Sequence, residues 1–152
     1  NKKIIDTLKS RCLTYKINLT FNDSVHITNK LINENILNLL NIDLINYYNT
    51  PGDFVNLIKF SKLNNLNLNE LNLGNFLSLL INEKYYKKDD FMKSYIFNFI
   101  ELYFLKVFSK STYKNNVINF YSKFIRKIDD TNKFNLDHDS LFMELKSKIL
   151  NG

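Results

Sequence analysis

The sequence predicts a mainly α-helical fold with one short strand near its start, on three observations. Beyond residue 20, apolar residues recur at three- and four-residue spacing. Convincing period-two alternation occurs once, where Leu13, Tyr15, Ile17 and Leu19 alternate with Thr14, Lys16 and Asn18. Residues able to cap a helix stand ahead of apolar runs, notably Asn22 or Asp23 before Val25 and Thr50 before Pro51.

The elements follow in order. After the strand, Asn22 or Asp23 can cap a helix whose apolar face is Val25, Ile27, Leu31 and Ile32. A second helix is expected over Ile36 to Tyr48 with a break near Asn41. Thr50-Pro51-Gly52-Asp53 restarts the chain, because proline in a first helical turn loses no hydrogen bond. That third helix presents Phe54, Leu57, Ile58 and Ser61 and ends near Lys62. Asn64-Asn65-Leu66-Asn67-Leu68-Asn69 then reads as a boundary between helical units, although its leucines equally suit burial in one continuous bundle.

Four more helices are legible beyond it. One covers Leu71 to Asn82 with Leu73, Phe76, Leu77, Leu80 and Ile81 inward. The next begins after Asp89-Asp90, whose carboxylates suit a helix N-terminus. It carries Phe91, Tyr95, Phe99, Leu102, Phe104 and Val107, apolar nearly all round, so it belongs at the centre of its bundle. A third runs from Tyr113 to Ile128, facing inward with Val117, Phe120, Tyr121, Phe124 and Ile125. The last runs from Asp137 to Leu150 with Leu141, Phe142, Leu145 and Ile149.

Composition excludes several classes. No run of eighteen apolar residues exists and the N-terminus has no charged-then-apolar layout, so a membrane span and a secreted product are not expected; the expected location is cytoplasmic. One cysteine, Cys12, rules out a disulfide framework and a cysteine-rich zinc cage. The chain has 25 Asn and 19 Lys but no Ala, Gln or Trp, a bias typical of A+T-rich coding. Part of the net charge of +6 therefore reflects that bias. Against it, only Arg11 and Arg126 are arginines, and each is either a position that needs a planar guanidinium or a chance surface cation. Residues 1–20 carry a net charge of +4, as an anionic neighbour or a solvated lysine cluster would require.

No self-contained active site is expected. Gly52 and Gly74 stand alone, without a glycine-rich phosphate loop. His26 and His138 have no Cys or Glu at ligand spacing and read as surface or cap-proximal residues. Cys12 reads as a small buried filler, and Asp89-Asp90 and Asp129-Asp130 as helix-end carboxylates. Tyr85-Tyr86-Lys87-Lys88 mixes rings and cations as a single-strand nucleic-acid surface does.

One segment carries more information. Thr7-Leu8-Lys9-Ser10-Arg11-Cys12, followed at once by the strand and then by a capped helix, resembles the Ser-Arg-Cys motif of the clamp-loader AAA+ ATPases. The resemblance covers all 152 residues in motif order and helix pattern, including Phe134-Asn135-Leu136-Asp137 ahead of the final helix. It implies an AAA+ lid three-helix bundle with one remnant β-strand, then an all-helical clamp-loader collar domain. Residues 1–20 would close a nucleotide-binding-like domain, 21–63 would form the lid and 64–152 the collar used for oligomerisation. The opening Asn1-Lys2-Lys3-Ile4-Ile5, without an initiator Met, then reads as the start of a C-terminal portion.

The resemblance also implies roles. Arg11 would act in trans as an arginine finger on a neighbouring subunit's ATP, with Thr7, Ser10 and Cys12 as the supporting motif. This chain would bind no cofactor or metal itself; ATP and Mg would belong to the neighbour. Its partners would be the tau/gamma and delta loader subunits and, through the complex, the sliding clamp and primer-template DNA, with no membrane involved. In the ATP-hydrolysing subunits the third lid helix carries a sensing arginine, and the matching Thr50-Pro51-Gly52-Asp53-Phe54-Val55-Asn56-Leu57 has none. That departure implies a non-hydrolysing subunit. Two alternatives stay open from sequence: an ATP-hydrolysing relative, or an unrelated helical nucleic-acid-binding or scaffold protein.

Overall fold

The computed structural model describes residues 19–134 and 136–150, and within them the chain is mainly α-helical. The expected strand falls on residues 13–19, of which only Leu19 is among the described residues. Helix α1 spans Phe21–Ile32, α2 Ile36–Leu39, a 3-10 turn Ile42–Leu44, and α3 Pro51–Leu63. Then come α4 (Leu73–Asn82), α5 (Tyr85–Lys88), α6 (Asp90–Lys110), α7 (Lys114–Lys133) and α8 (Asp139–Leu145), which continues as a π-type turn over Lys146–Leu150.

Capping chemistry sets most starts. Thr20, not Asn22 or Asp23, caps α1: its hydroxyl accepts from Asp23 N, while the Asp23 carboxylate accepts from Thr20 N at 3.0 Å. Asp23 is thus the third residue of a capping box, which satisfies two orphan groups where a lone Asx cap satisfies one. The Thr20 hydroxyl, which donates to Asp23 Oδ2 at 2.7 Å, and then the Thr20 backbone N–H hold the Asp23 carboxyl below its ordinary range. The same box opens α3, with Thr50 as cap and Asp53 as its reciprocal acceptor, and Pro51 in the first turn. Asn72 caps α4 and Asp89 caps α6. Asn33, in the left-handed region at φ 56°, ends α1.

Burial departs from the apolar stripe in α1. Its most buried side chains are Ser24 and Thr28, and Leu31 is exposed. The Thr28 hydroxyl donates to Ser24 O at 2.7 Å, so these small residues satisfy themselves and let α1 lie close on α3. The expected helix over Ile36 to Tyr48 is instead a one-turn helix and a 3-10 turn, separated at Leu40-Asn41 and finished by Ile45. Asn41 breaks it by accepting from Asp43 N with its side chain and donating its backbone N–H to Leu68 O. The α4 face is as expected, with all five named residues buried.

The segment 64–72 is tied down at both ends. Leu68 is buried, Leu66 and Leu71 are partly so, and the Asn41 amide donates to Asn69 O at 3.1 Å. Buried side chains on either side of it belong to one cluster, from Ile36 and Phe54 through Phe76 and Phe99 to Leu145. Rings link the cluster edge to face: Tyr85 on Phe60, Phe60 on Phe76, Phe76 on Phe99 and Phe99 on Tyr95, with centroids 5.0–6.3 Å apart. In a chain without alanine, these aromatic contacts fill the core and contribute beyond simple burial. Helix α6 supplies the most to it, adding Met92, Ile96 and Ile100 to the inward residues that periodicity identified.

Candidate functional site

Thr7, Ser10, Arg11 and Cys12, the expected finger and its supporting motif, lie outside the described residues. What the structure does describe is the helical scaffold that follows the motif. The other arginine, Arg126, is exposed on α7.

The start of α3, where the resemblance places a nucleotide sensor, is fully occupied by its own cap. The Asp53 carboxylate accepts from both the backbone N–H and the hydroxyl of Thr50, each at 2.8 Å. A carboxylate there takes the helix N-terminal position that would otherwise favour an incoming anion. Beside it, buried Asn49 accepts from the Tyr95 hydroxyl of α6 at 2.8 Å. Burial pushes the Tyr95 phenol up, and the Asp53 charge adds to the effect. A second tie joins α6 to the 3-10 turn: Lys106 Nζ donates to both Asp43 O and Asp43 Oδ1, at 2.8 and 2.9 Å.

At the opposite end of α6, charged groups converge on Asp139. Its carboxylate accepts from Lys84 Nζ at 2.9 Å and from the Tyr86 hydroxyl, and it pairs with Lys87 at 2.8 Å. Lys87 also reaches Asp137 at 3.0 Å. Hydrogen bonding by Lys87, then by Tyr86 and Lys84, holds the Asp139 carboxyl far below the usual carboxylate range. The Tyr86 phenol is pushed up, first by burial and then by its bond to that carboxylate. Lys87 is raised by its bonds to Asp139 and Asp137. Each group is stabilised in its ordinary charge state, the opposite of what proton transfer near neutrality requires.

This network gives Tyr85-Tyr86-Lys87-Lys88 a structural role, in line with the small weight that a single tetrad carries as a nucleic-acid surface. The four residues form the one-turn helix α5; Tyr86 is buried with its ring 4.5 Å from that of Phe142, and Tyr85 packs on Phe60. Their rings are committed to the core, leaving no free stacking platform. Beside them, Lys87, Lys93, Phe97, His138 and Phe142 line a cleft of about 320 Å³. His138 does sit at a helix start, its ring 6.0 Å from that of Phe97 and 5.9 Å from that of Phe142. His26 is exposed on α1.

Asp89 is a helix-end carboxylate as expected, accepting from Met92 N at 2.8 Å. Asp129 and Asp130 lie within α7 because that helix continues past Ile128 to Lys133. Helix α8 is clipped to α7 through Glu144, which pairs with Lys127 and Lys148; bonding by Lys127, then Lys148, lowers its carboxyl. Among the described residues no three His, Cys, Asp or Glu side chains converge as a metal site would require. No described helix is long and apolar enough to cross a membrane.

Sequence reading missed the structural roles of Asn49, Tyr95, Lys106 and Asp139. Each partner lies 46 or more residues away, so no local spacing announces the pair. No family model, no curated protein and no solved structure matches the chain.

Proposed function

We propose that this chain is a non-hydrolysing, delta-prime-type subunit of a bacterial DNA polymerase III clamp loader. It supplies Arg11 in trans to the ATP and Mg of a neighbouring subunit. Residues 21–63 serve as the AAA+ lid and 64–152 as the collar that joins the tau/gamma and delta subunits in a ring for sliding-clamp loading on primer-template DNA. The observation that carries this reading is the order of features in the sequence. Ser10-Arg11-Cys12 is followed by an alternating segment, a capped helical unit without an arginine in its third helix, and a further helical unit.

The chemistry supports it. Phosphoryl transfer asks mainly for positioning and for stabilisation of charge on the transferring oxygens. A guanidinium stays ionised and offers donors in a fixed plane that can engage two phosphate oxygens together. In a chain where lysine outnumbers arginine 19 to 2, an arginine in that motif is the notable choice. The self-capped Asp53 at the start of α3 fits a lid that senses no nucleotide of its own. The ties between α6 and Asn49 and Asp43 would hold lid and collar in one orientation, so assembly of the collar would fix where the finger points.

The test is a reconstituted loader carrying Arg11→Lys. Clamp- and DNA-stimulated ATPase should fall by at least about tenfold, since fingers elsewhere contribute roughly 10³–10⁵-fold. Subunit assembly by gel filtration should be unchanged. Full ATPase at matched assembly overturns the finger assignment.

A further inference from the structure

We propose that the α6–α7 edge of this chain is a self-association surface, on which a second copy docks with its α7 antiparallel to the first. Leu105 of α6 and Ile118 and Ile125 of α7 are exposed, at 56%, 47% and 37%. Leu105 and Ile118 line a groove of about 180 Å³ with Phe104, Phe108 and Tyr121. Ile118 and Ile125 are seven residues apart, two helical turns, so they share one stripe of α7 beside that groove.

The charges on that stripe decide the occupant. Lys114 stands four residues before Ile118, and Asp129 four residues after Ile125. The order cation, apolar, apolar, anion is complementary to its own reversal. A two-fold axis between Tyr121 and Ser122 therefore places each Ile118 on Ile125 of the other copy and each Lys114 on its Asp129. That forms two apolar and two opposite-charge contacts at once, as an isologous interface requires. A parallel arrangement would set Lys114 against Lys114 and Asp129 against Asp129, so orientation is specified by charge. Helical rise puts Lys114 and Asp129 about 22 Å apart, so the charge contacts bracket the apolar pair.

The experiment is sedimentation equilibrium of the full chain from about 5 to 200 µM at about 50 mM salt, the regime of small transient interfaces. A monomer–dimer equilibrium is expected, and Ile118→Asp should abolish it. Lys114→Glu and Asp129→Lys should each raise the dimer Kd about three- to tenfold, since each breaks two exposed pairs. Combining the two reversals should restore the Kd to within about twofold. Both reversals suit the helix dipole, with Glu in the first turn of α7 and Lys near its end, so α7 persists, as circular dichroism will verify. A chain that stays monomeric to about 200 µM overturns the proposal, as does a dimer indifferent to Ile118→Asp. A double reversal no tighter than the single ones overturns the antiparallel register.

Discussion

The hydroxyl of Tyr95, in the second turn of α6, donates to Asn49 Oδ1 at 2.8 Å in a buried setting, one residue before the cap that opens α3. Both residues are nearly closed to solvent, at 7% and 6% exposure, so neither can exchange its partner for water. A buried polar pair of this kind contributes little net energy while intact and costs far more when one half is removed. It fixes the register between the helical unit ending at Leu63 and the long central helix.

Tyr95→Phe should therefore destabilise the chain by about 1–2 kcal/mol, because the Asn49 oxygen is left buried without a donor. Asn49→Ala strands the phenol and should cost a similar amount. The double variant should lose less than the sum of the two, with a coupling of about 1 kcal/mol in urea unfolding. Additive losses would show that the bond carries no stability of its own.

Legibility in the sequence followed helix length and capping chemistry. Helix α4 and its five buried residues were readable because apolar side chains recur through all its turns, although the Asn72 cap went unread and the start was placed two residues early, at Leu71. The reciprocal role of Asp53 emerged only in the structure, but the Thr50-Pro51-Gly52-Asp53 start was readable because the cap stands directly before a first-turn proline. Helix α5 was not: four residues contain no period, and Tyr-Tyr-Lys-Lys has the composition of a surface. The α1 face was read correctly at Val25 and Ile32, which pack against the core, and misread at Leu31, because close approach to a neighbour selected small Ser24 and Thr28 for the most buried positions. Arg11 and its motif were singled out only through resemblance, since a guanidinium proposed to act on another molecule would leave no periodic trace.

Acid should act through Asp139. Its native carboxyl titrates below the unfolded value, so its contribution is complete above about pH 3.9 and fades as pH falls toward the depressed native value. Asp139→Asn removes that charge at every pH. Urea midpoints at pH 7, 4 and 2.5 should show the variant clearly weaker at pH 7, with the gap narrowing only below about pH 4. Glu144 titrates in both proteins and cancels from the comparison. A gap that is constant down to pH 2.5 would mean that Lys84, Tyr86 and Lys87 do not favour the ionised carboxylate.

Phe60 tests whether the chain unfolds as one body. Its ring lies on α3, yet its neighbours are Phe76 of α4 and Tyr85 of α5, so it belongs to both helical units. Phe60→Ala removes a side chain that is 2% exposed and should cost about 3–5 kcal/mol, a large share of the roughly 5–15 kcal/mol that holds a domain of this size. Where cores are separate, such a loss lowers one transition and leaves the other in place. Here the buried cluster runs unbroken from Ile36 to Leu145, so the loss must be shared. Ellipticity at 222 nm and tyrosine fluorescence should therefore shift together to lower urea, in one transition. Phe60→Leu, costing about 1–2 kcal/mol, gives the same comparison if the alanine variant is too weak to fold. Two resolved transitions in either variant would show that residues 21–63 and 73–150 hold their folds independently, with the Tyr95–Asn49 bond as a seam between them.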